Sequence, residues 1–231
     1  PTMSLPERTI IAVTVALRAA FYRARLSPRI DRERCDMQVI RTAGYRRMPW
    51  KNGGGETIEI AVAPDGATLA AFDWRLSMAR IASDGPFSPF PGIDRTLVVL
   101  DGDGLRLSIE GRMPISLTTD SAPCSFPGDV AVTAARIGGP VTDLNVMTRR
   151  GQLEHRLRRV PVDGALELAI NAPTALLLCA AGSVRIDARP AAIPLQPLET
   201  LRVDERRESL RILSDAPAVV FLIEIRALRT G

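Results

Sequence analysis

The sequence predicts an all-β protein made of two similar units. Three observations carry the prediction. From Met37 onward, short runs alternate apolar and polar residues, the period of two that a half-buried strand requires. Clusters of Gly and Pro separate these runs, and no long helical pattern follows Met37. After Gly151 the same order of runs starts again. Many short strands punctuated by turn formers point to barrels or jelly rolls.

Length and composition agree. A chain of 231 residues has room for one large domain or two small ones. Its 46% hydrophobic and 24% charged residues describe a globular protein with a sizeable core, which sets disorder aside except at the start. The net charge of +4 is unevenly placed. Before Met37, Arg8, Arg18, Arg23, Arg25, Arg29, Arg32 and Arg34 outnumber Glu7, Asp31, Glu33 and Asp36. The remainder has no basic run with interleaved aromatics, so no nucleic-acid partner is expected.

Residues 1–36 read as an extension outside the fold. Ile10 to Leu17 is apolar, but a bilayer span needs about 20 such residues. Glu7 and the lack of a small-residue cleavage site make a poor secretory signal. No membrane span is expected; an amphipathic helix at a membrane or partner surface is the alternative.

The next stretch is Trp50-Lys51-Asn52-Gly53-Gly54-Gly55-Glu56. Lys51 is the one lysine among 30 Lys and Arg residues. An ammonium is a compact charge whose pKa moves on burial. Asn52 beside it can donate and accept, and glycines allow positive φ or a close ligand approach. Two readings stand: an anion or carbonyl pocket anchored by Lys51 and Asn52, or a glycine turn with an exposed Lys and a core Trp.

Thr57 to Val62 alternates, with Ile58, Ile60 and Val62 on one face. Pro64-Asp65-Gly66 is a turn. In Asp73 to Ala79, Trp74, Leu76 and Met78 share an apolar face, and Asp73, Arg75 and Ser77 the opposite one. A Pro-stiffened loop from Asp84 to Arg95 follows, with Phe87 and Phe90 expected to pin it to the body. Arg95 ends this loop before the apolar strand Leu97 to Leu100. It is either a carboxylate fork at the mouth of a sheet or a surface Arg paired with Asp94 or another acid.

Leu105, Leu107 and Ile109 alternate after the turn Asp101 to Gly104. Phe126-Pro127-Gly128-Asp129 reads as a turn before Val130 to Val132. In Val141 to Met147, Asp143 and Asn145 share one face, which demands a wet pocket or a buried polar network. Beyond Gly151 come Ala175 to Ala180, Val184 with Ile186, Leu201 with Val203, Leu210 with Ile212, and Ala218 to Ile225. This second copy lacks the Trp, Lys, Asn and triple-Gly equipment. The units are expected at 37–150, with the pocket, and 151–231, without one.

Cys35, Cys124 and Cys179 are odd in number and far apart, so they outline no metal spacing and no disulfide framework. A reduced cytoplasm is the simplest compartment. The single histidine, His155, speaks against a multi-histidine metal site.

Four stretches resemble the HutD/Ves family of cupin-like proteins. They are Met48 to Thr57, Phe72 to Ala79, Asp84 to Ser88 with Phe90 to Arg95, and Asp143 to Met147. The resemblance runs from about Met37 to the C-terminus, by motif in the first half and by strand pattern in the second. Residues 1–36 have no counterpart in it, which suggests an upstream translation start. It implies a bicupin, two small jelly-roll barrels in one chain. It also implies a link to histidine utilisation, through sensing of an anionic intermediate such as urocanate or formylglutamate. Metal cupins supply several histidines, so neither metal nor cofactor is expected here. An anionic ligand suits Lys51, Arg75 and Arg95 as charge partners, Asn52 and Asn145 as hydrogen-bonders, and Trp50 as a wall; Trp74 suits the core. A non-enzymatic binder is the leading expectation, and a homodimer is compatible with it. The alternatives are a metal-free lyase, isomerase or amidohydrolase using Lys51 as base, and a structural or interaction module.

Overall fold

The computed structural model describes residues 36–188, 191–204 and 209–228. The expectations for residues 1–35 lie outside these. Among the described residues nineteen strands follow in chain order. The first eleven are β1 (Asp36–Ile40), β2 (Arg46–Pro49), β3 (Gly55–Ala63), β4 (Trp74–Ile81), β5 (Gly85–Pro86), β6 (Ile93–Asp101), β7 (Leu105–Ile109), β8 (Ile115–Leu117), β9 (Cys124–Pro127), β10 (Val132–Arg136) and β11 (Val141–Arg149). The rest are β12 (Leu153–Val162), β13 (Ala165–Ala169), β14 (Thr174–Ala181), β15 (Val184–Asp187), β16 (Ile193–Leu195), β17 (Thr200–Asp204), β18 (Ser209–Leu213) and β19 (Ala218–Ala227). Among the described residues the one helical segment is a 3-10 turn at Thr42–Gly44, and no helix is long and apolar enough to cross a membrane.

The strands form four open sheets: β2-β3-β4-β11-β6-β9, β5-β10-β7-β8, β1-β17-β14-β19-β12 and β13-β18-β15-β16. Their order repeats. Replacing β4, β11, β6 and β9 by β12, β19, β14 and β17 turns the core of the first sheet into that of the third. The same shift turns the second sheet into the fourth. One strand crosses the halves: β1 pairs antiparallel with β17, so Asp36–Ile40 lies in the sheet of the later residues.

Burial patterns show how the sheets layer. Strand residues alternate between faces, and β7 reads buried-exposed-buried along its length, as an outer sheet requires. β4 and β11 are buried on both faces, as inner strands must be. Leu97, Val99, Leu105, Leu107 and Val132 fill the space between the first two sheets. Leu177, Val184, Ile186, Leu210 and Val220 do so for the last two. A third cluster joins the halves back to back. Trp74, Leu76, Met78, Leu144 and Val146 of the first half meet Leu176, Leu178, Phe221 and Ile223 of the second. Full burial of one Leu side chain stabilises by about 2 kcal/mol, so Leu76 and Leu144, both 0% exposed, weld the halves firmly.

Several runs depart from the sequence reading. Phe126-Pro127 is not a turn but the end of β9, where Phe126 is 3% exposed. The following strand starts at Val132 rather than Val130. β12 gave no sequence signal, because Glu154, His155, Arg156, Arg158 and Arg159 interrupt any alternation. It is an edge strand, and charge on an edge suppresses pairing with other chains.

Candidate functional site

A cavity of about 610 Å³ opens between the first and second sheets. Trp50, Lys51, Asn52, Arg75, Arg95 and Asn145 all line it. The register of the first sheet explains how three of them meet. Met147 on β11 stands opposite Arg75 on β4 and Arg95 on β6. The next row on that face is Ser77, Asn145 and Leu97, and the one after it Ala79, Asp143 and Val99. The face therefore begins cationic and ends on the Asp143 carboxyl between two apolar side chains, with a β-bulge between Thr142 and Asp143 just beyond. Bulges commonly re-aim side chains at such places.

The polar groups form a connected network. Arg75, 3% exposed, donates from Nε to Glu59 Oε2 at 2.6 Å and from Nη1 to Ser77 Oγ at 3.4 Å. Arg95, 6% exposed, donates from Nη2 to Asn145 Oδ1 at 2.7 Å. Asn145 Nδ2 donates to Asp143 Oδ1 at 2.7 Å, and the Ala79 N–H donates to the same oxygen at 3.2 Å. The rings of Phe87, Phe126 and Phe90 lie 5.1, 5.2 and 5.6 Å from the Arg95 guanidinium carbon. Aromatic faces attract a desolvated guanidinium, which helps to keep Arg95 dry.

Two guanidinium nitrogens in this network, Arg75 Nη2 and Arg95 Nε, are buried without a hydrogen-bond partner. Native proteins leave few buried donors unpaired, and each one calls for an explanation. Burial pulls the pKa of Arg95 down to about 10; Asp143 opposes this and the charge of Arg75 adds to it. Arg95 is still a cation at neutral pH. Burial pushes Asp143 up to about 7, against the pull of Arg95, the Ala79 N–H and Asn145.

Arg95 lies inside β6, not at the end of a surface loop, and the surface pairing with Asp94 does not occur. Asp94 instead pairs with Arg150 at 2.7 Å. Lys51 and Asn52 are exposed at the rim. Asn52 Oδ1 accepts the Gly54 N–H at 3.0 Å, an Asx turn. Trp50 is half-buried and donates from Nε1 to Thr57 Oγ1 at 2.8 Å. The glycines serve the turn rather than a ligand. Gly53 has φ +70°, and a Cβ on Gly54 would lie 2.3 Å from Ser83 Oγ. On Gly55 it would lie 2.2 Å from the Arg80 carbonyl oxygen.

Asp143 and Glu59 belong to the site although neither was a sequence candidate. The alternation that put Asp143 on the face of Asn145 was its signal. His155 sits apart, between Thr148 Oγ1 and Thr96 Oγ1 at 2.7 Å each. Burial lowers its pKa to about 4. Among the described residues no cluster of three His, Cys, Asp or Glu side chains could hold a metal ion.

Comparison with known proteins agrees with this picture. A sequence model described as HutD matches residues 42–221. An uncharacterized 21.2 kDa protein in the hutC 3′ region of Pseudomonas putida is 39% identical over 150 residues, 65% of this chain and 77% of that protein. Protein Ves of Citrobacter koseri is 38% identical over 117 residues, covering 49% of this chain and 60% of its own length. The structure of HutD from Pseudomonas fluorescens SBW25, in a formate condition, superposes with a TM-score of 0.72 at 32% identity, over 84% of this chain and all of that one. A putative glyoxylate-induced protein from Pseudomonas aeruginosa shares the fold alone, with a TM-score of 0.64 at 11% identity over 89% of this chain and 96% of that one. The fold is all-β and cupin-like.

Proposed function

The chain belongs to the HutD family, and on that premise we propose that it is a cytoplasmic regulatory protein of histidine utilisation that binds a small anionic metabolite. The ligand is an intermediate of the urocanate or formylglutamate class. Trp50, Lys51, Asn52, Arg75, Arg95 and Asn145 contact it, and no metal takes part. The repeated sheet order is read as a bicupin, with the ligand in the first unit, about 37–150, and β1 exchanged into the second. The relative in the hutC 3′ region supports the metabolic link.

One observation carries the ligand class. Two arginines that line a largely apolar cavity of ligand size each keep a buried guanidinium nitrogen without a hydrogen-bond partner. A carboxylate supplies the missing acceptors and is held by two charge-assisted bonds. Lys51 makes its contact from the exposed rim and adds attraction at entry.

The test is thermal melting against urocanate, formylglutamate, formate, glutamate and histidine. A ligand at about a hundred times its Kd stabilises by about 2.7 kcal/mol, or about 5 to 10 °C for a chain of this size. Such a shift with one of the carboxylates, lost in Arg75→Lys, supports the proposal. No shift with any of them contradicts it. A metal-free enzyme is the second reading, favoured by a carboxyl group that titrates near neutrality inside the cavity. In that case Asp143 rather than Lys51 is the acid or base, and turnover that survives a chelator but not Asp143→Asn identifies it.

A further inference from the structure

A carboxylate held by Arg75 and Arg95 leaves Asp143 without a role, and any part it plays in binding rests on that carboxylate reading. Asp143 faces the cavity from β11 and is 1% exposed. Its Oδ1 accepts both available donors, the Ala79 N–H and Asn145 Nδ2. Among the described residues nothing donates to Oδ2 and no cation forms a direct ion pair with the carboxylate. Arg95 reaches it only through Asn145.

The charge arrangement makes Asp143 a rival of the ligand. Glu59 is committed to Arg75 through Nε. Asp143 is the carboxylate connected to Arg95. Lys51 and Asp84, the other charged groups lining the cavity, are both exposed. An anion arriving on the free N–H groups of Arg75 and Arg95 would share Arg95 with an ionised Asp143. Two carboxylates cannot both stay ionised in one desolvated site without a large penalty. The neutral acid avoids the penalty and gains a donor, the Oδ2–H.

We infer that Asp143 takes up a proton when a carboxylate ligand binds, so that the cavity accepts an anion and a proton together. The proton comes from solvent and ends on Oδ2, from which it is donated to an oxygen of the ligand; no other bond forms or breaks. The ligand class is thereby narrowed to carboxylates that carry an acceptor oxygen reaching Asp143. Burial has already raised the pKa of Asp143 to about 7, so the added push of an anion acts at neutral pH. The metabolic consequence is tighter sensing in an acidified cell.

Calorimetric titration of N-formylglutamate and of formate tests this. It is run from about pH 6 to about pH 9, where carboxyl groups of this kind stay ionised, in two buffers of unlike ionisation heat. For the wild type, affinity should fall by up to about tenfold per pH unit above about pH 7, with uptake approaching one proton per site. Asp143→Asn is neutral, isosteric and still able to accept from Ala79. It should bind with a flat pH profile and without buffer-dependent heat, and more tightly than wild type at about pH 9. A melting curve checks that it folds, and Asp143→Ser, with the same expected profile, stands in if it does not. A flat wild-type profile overturns the inference alone, and so does a pH dependence that survives in both variants. No binding of either probe at any pH overturns the carboxylate reading and the inference with it.

Discussion

Arg75 and Arg95 flank Met147 on neighbouring strands, and their side chains reach one cavity from the two sides of β11. The charge of Arg75 weighs against that of Arg95, so the pair repels until an anion arrives between them. Arg75→Lys keeps the charge but loses the fork. It should weaken carboxylate binding by about tenfold or more, measured by titration calorimetry, with melting little changed. Arg95→Gln deprives Asn145 Oδ1 of its donor and empties the space between three Phe rings. It should destabilise by about 3 kcal/mol in chemical denaturation.

Lys51 gives the contrasting expectation. It is exposed, and among the described residues it forms no ion pair. Lys51→Ala should leave stability within about 0.5 kcal/mol. Its effect should appear as a slower association rate that vanishes at high salt. Stopped-flow association at two ionic strengths reads this directly.

The glycine motif is a packing requirement, and Gly55→Ala tests it. Its Cβ would meet the Arg80 carbonyl and the Trp50 ring, the latter at 3.1 Å. Parting β3 from β4 there should cost about 1 to 3 kcal/mol. Gly53→Ala meets no neighbour within 4 Å and is limited by its positive φ, so about 1 kcal/mol is expected. Urea denaturation of both variants gives the comparison.

Stability should respond to pH through two buried groups of opposite sign. Asp143 has a raised folded pKa, so its contribution is present below the unfolded value of about 4 and is lost as pH rises towards about 7. His155 has a depressed folded pKa, so its contribution is present above about 6.5 and is lost as pH falls towards about 4. The two offset each other in that window. The lowered carboxyls of Asp84, Asp129 and Asp215 act at or below its acid end. Asp143→Asn should therefore gain stability steadily from about pH 4 to about pH 6.5, and His155→Gln should lose it from about pH 4 to about pH 7. Urea midpoints across that range decide it.

Much of the fold was legible in the sequence, and the reasons for the rest are physical. Alternation marked β3, β4, β7 and β11 because each carries a run of apolar residues at every second position, such as Ile58, Ile60 and Val62 or Trp74, Leu76 and Met78. Trp74 was placed in the core and Arg75 on the opposite face by the same rule. β12 hid behind its arginines. Arg95 could not be assigned as buried or exposed from its neighbours in sequence. Its state depends on Phe126 and Asn145, which are remote in the chain and adjacent only in the sheet. The triple glycine suggested an open approach to a ligand. The Ser83 hydroxyl and the Arg80 carbonyl fill that space, and only the pairing of β3 with β4 reveals it.

The most direct test of the central claim is a crystal structure of the protein with N-formylglutamate or urocanate bound. The expected result is a ligand carboxylate within hydrogen-bond distance of both Arg75 Nη2 and Arg95 Nε, with Lys51 near the entrance. A ligand bound elsewhere, or one whose carboxylate touches neither arginine, would contradict it.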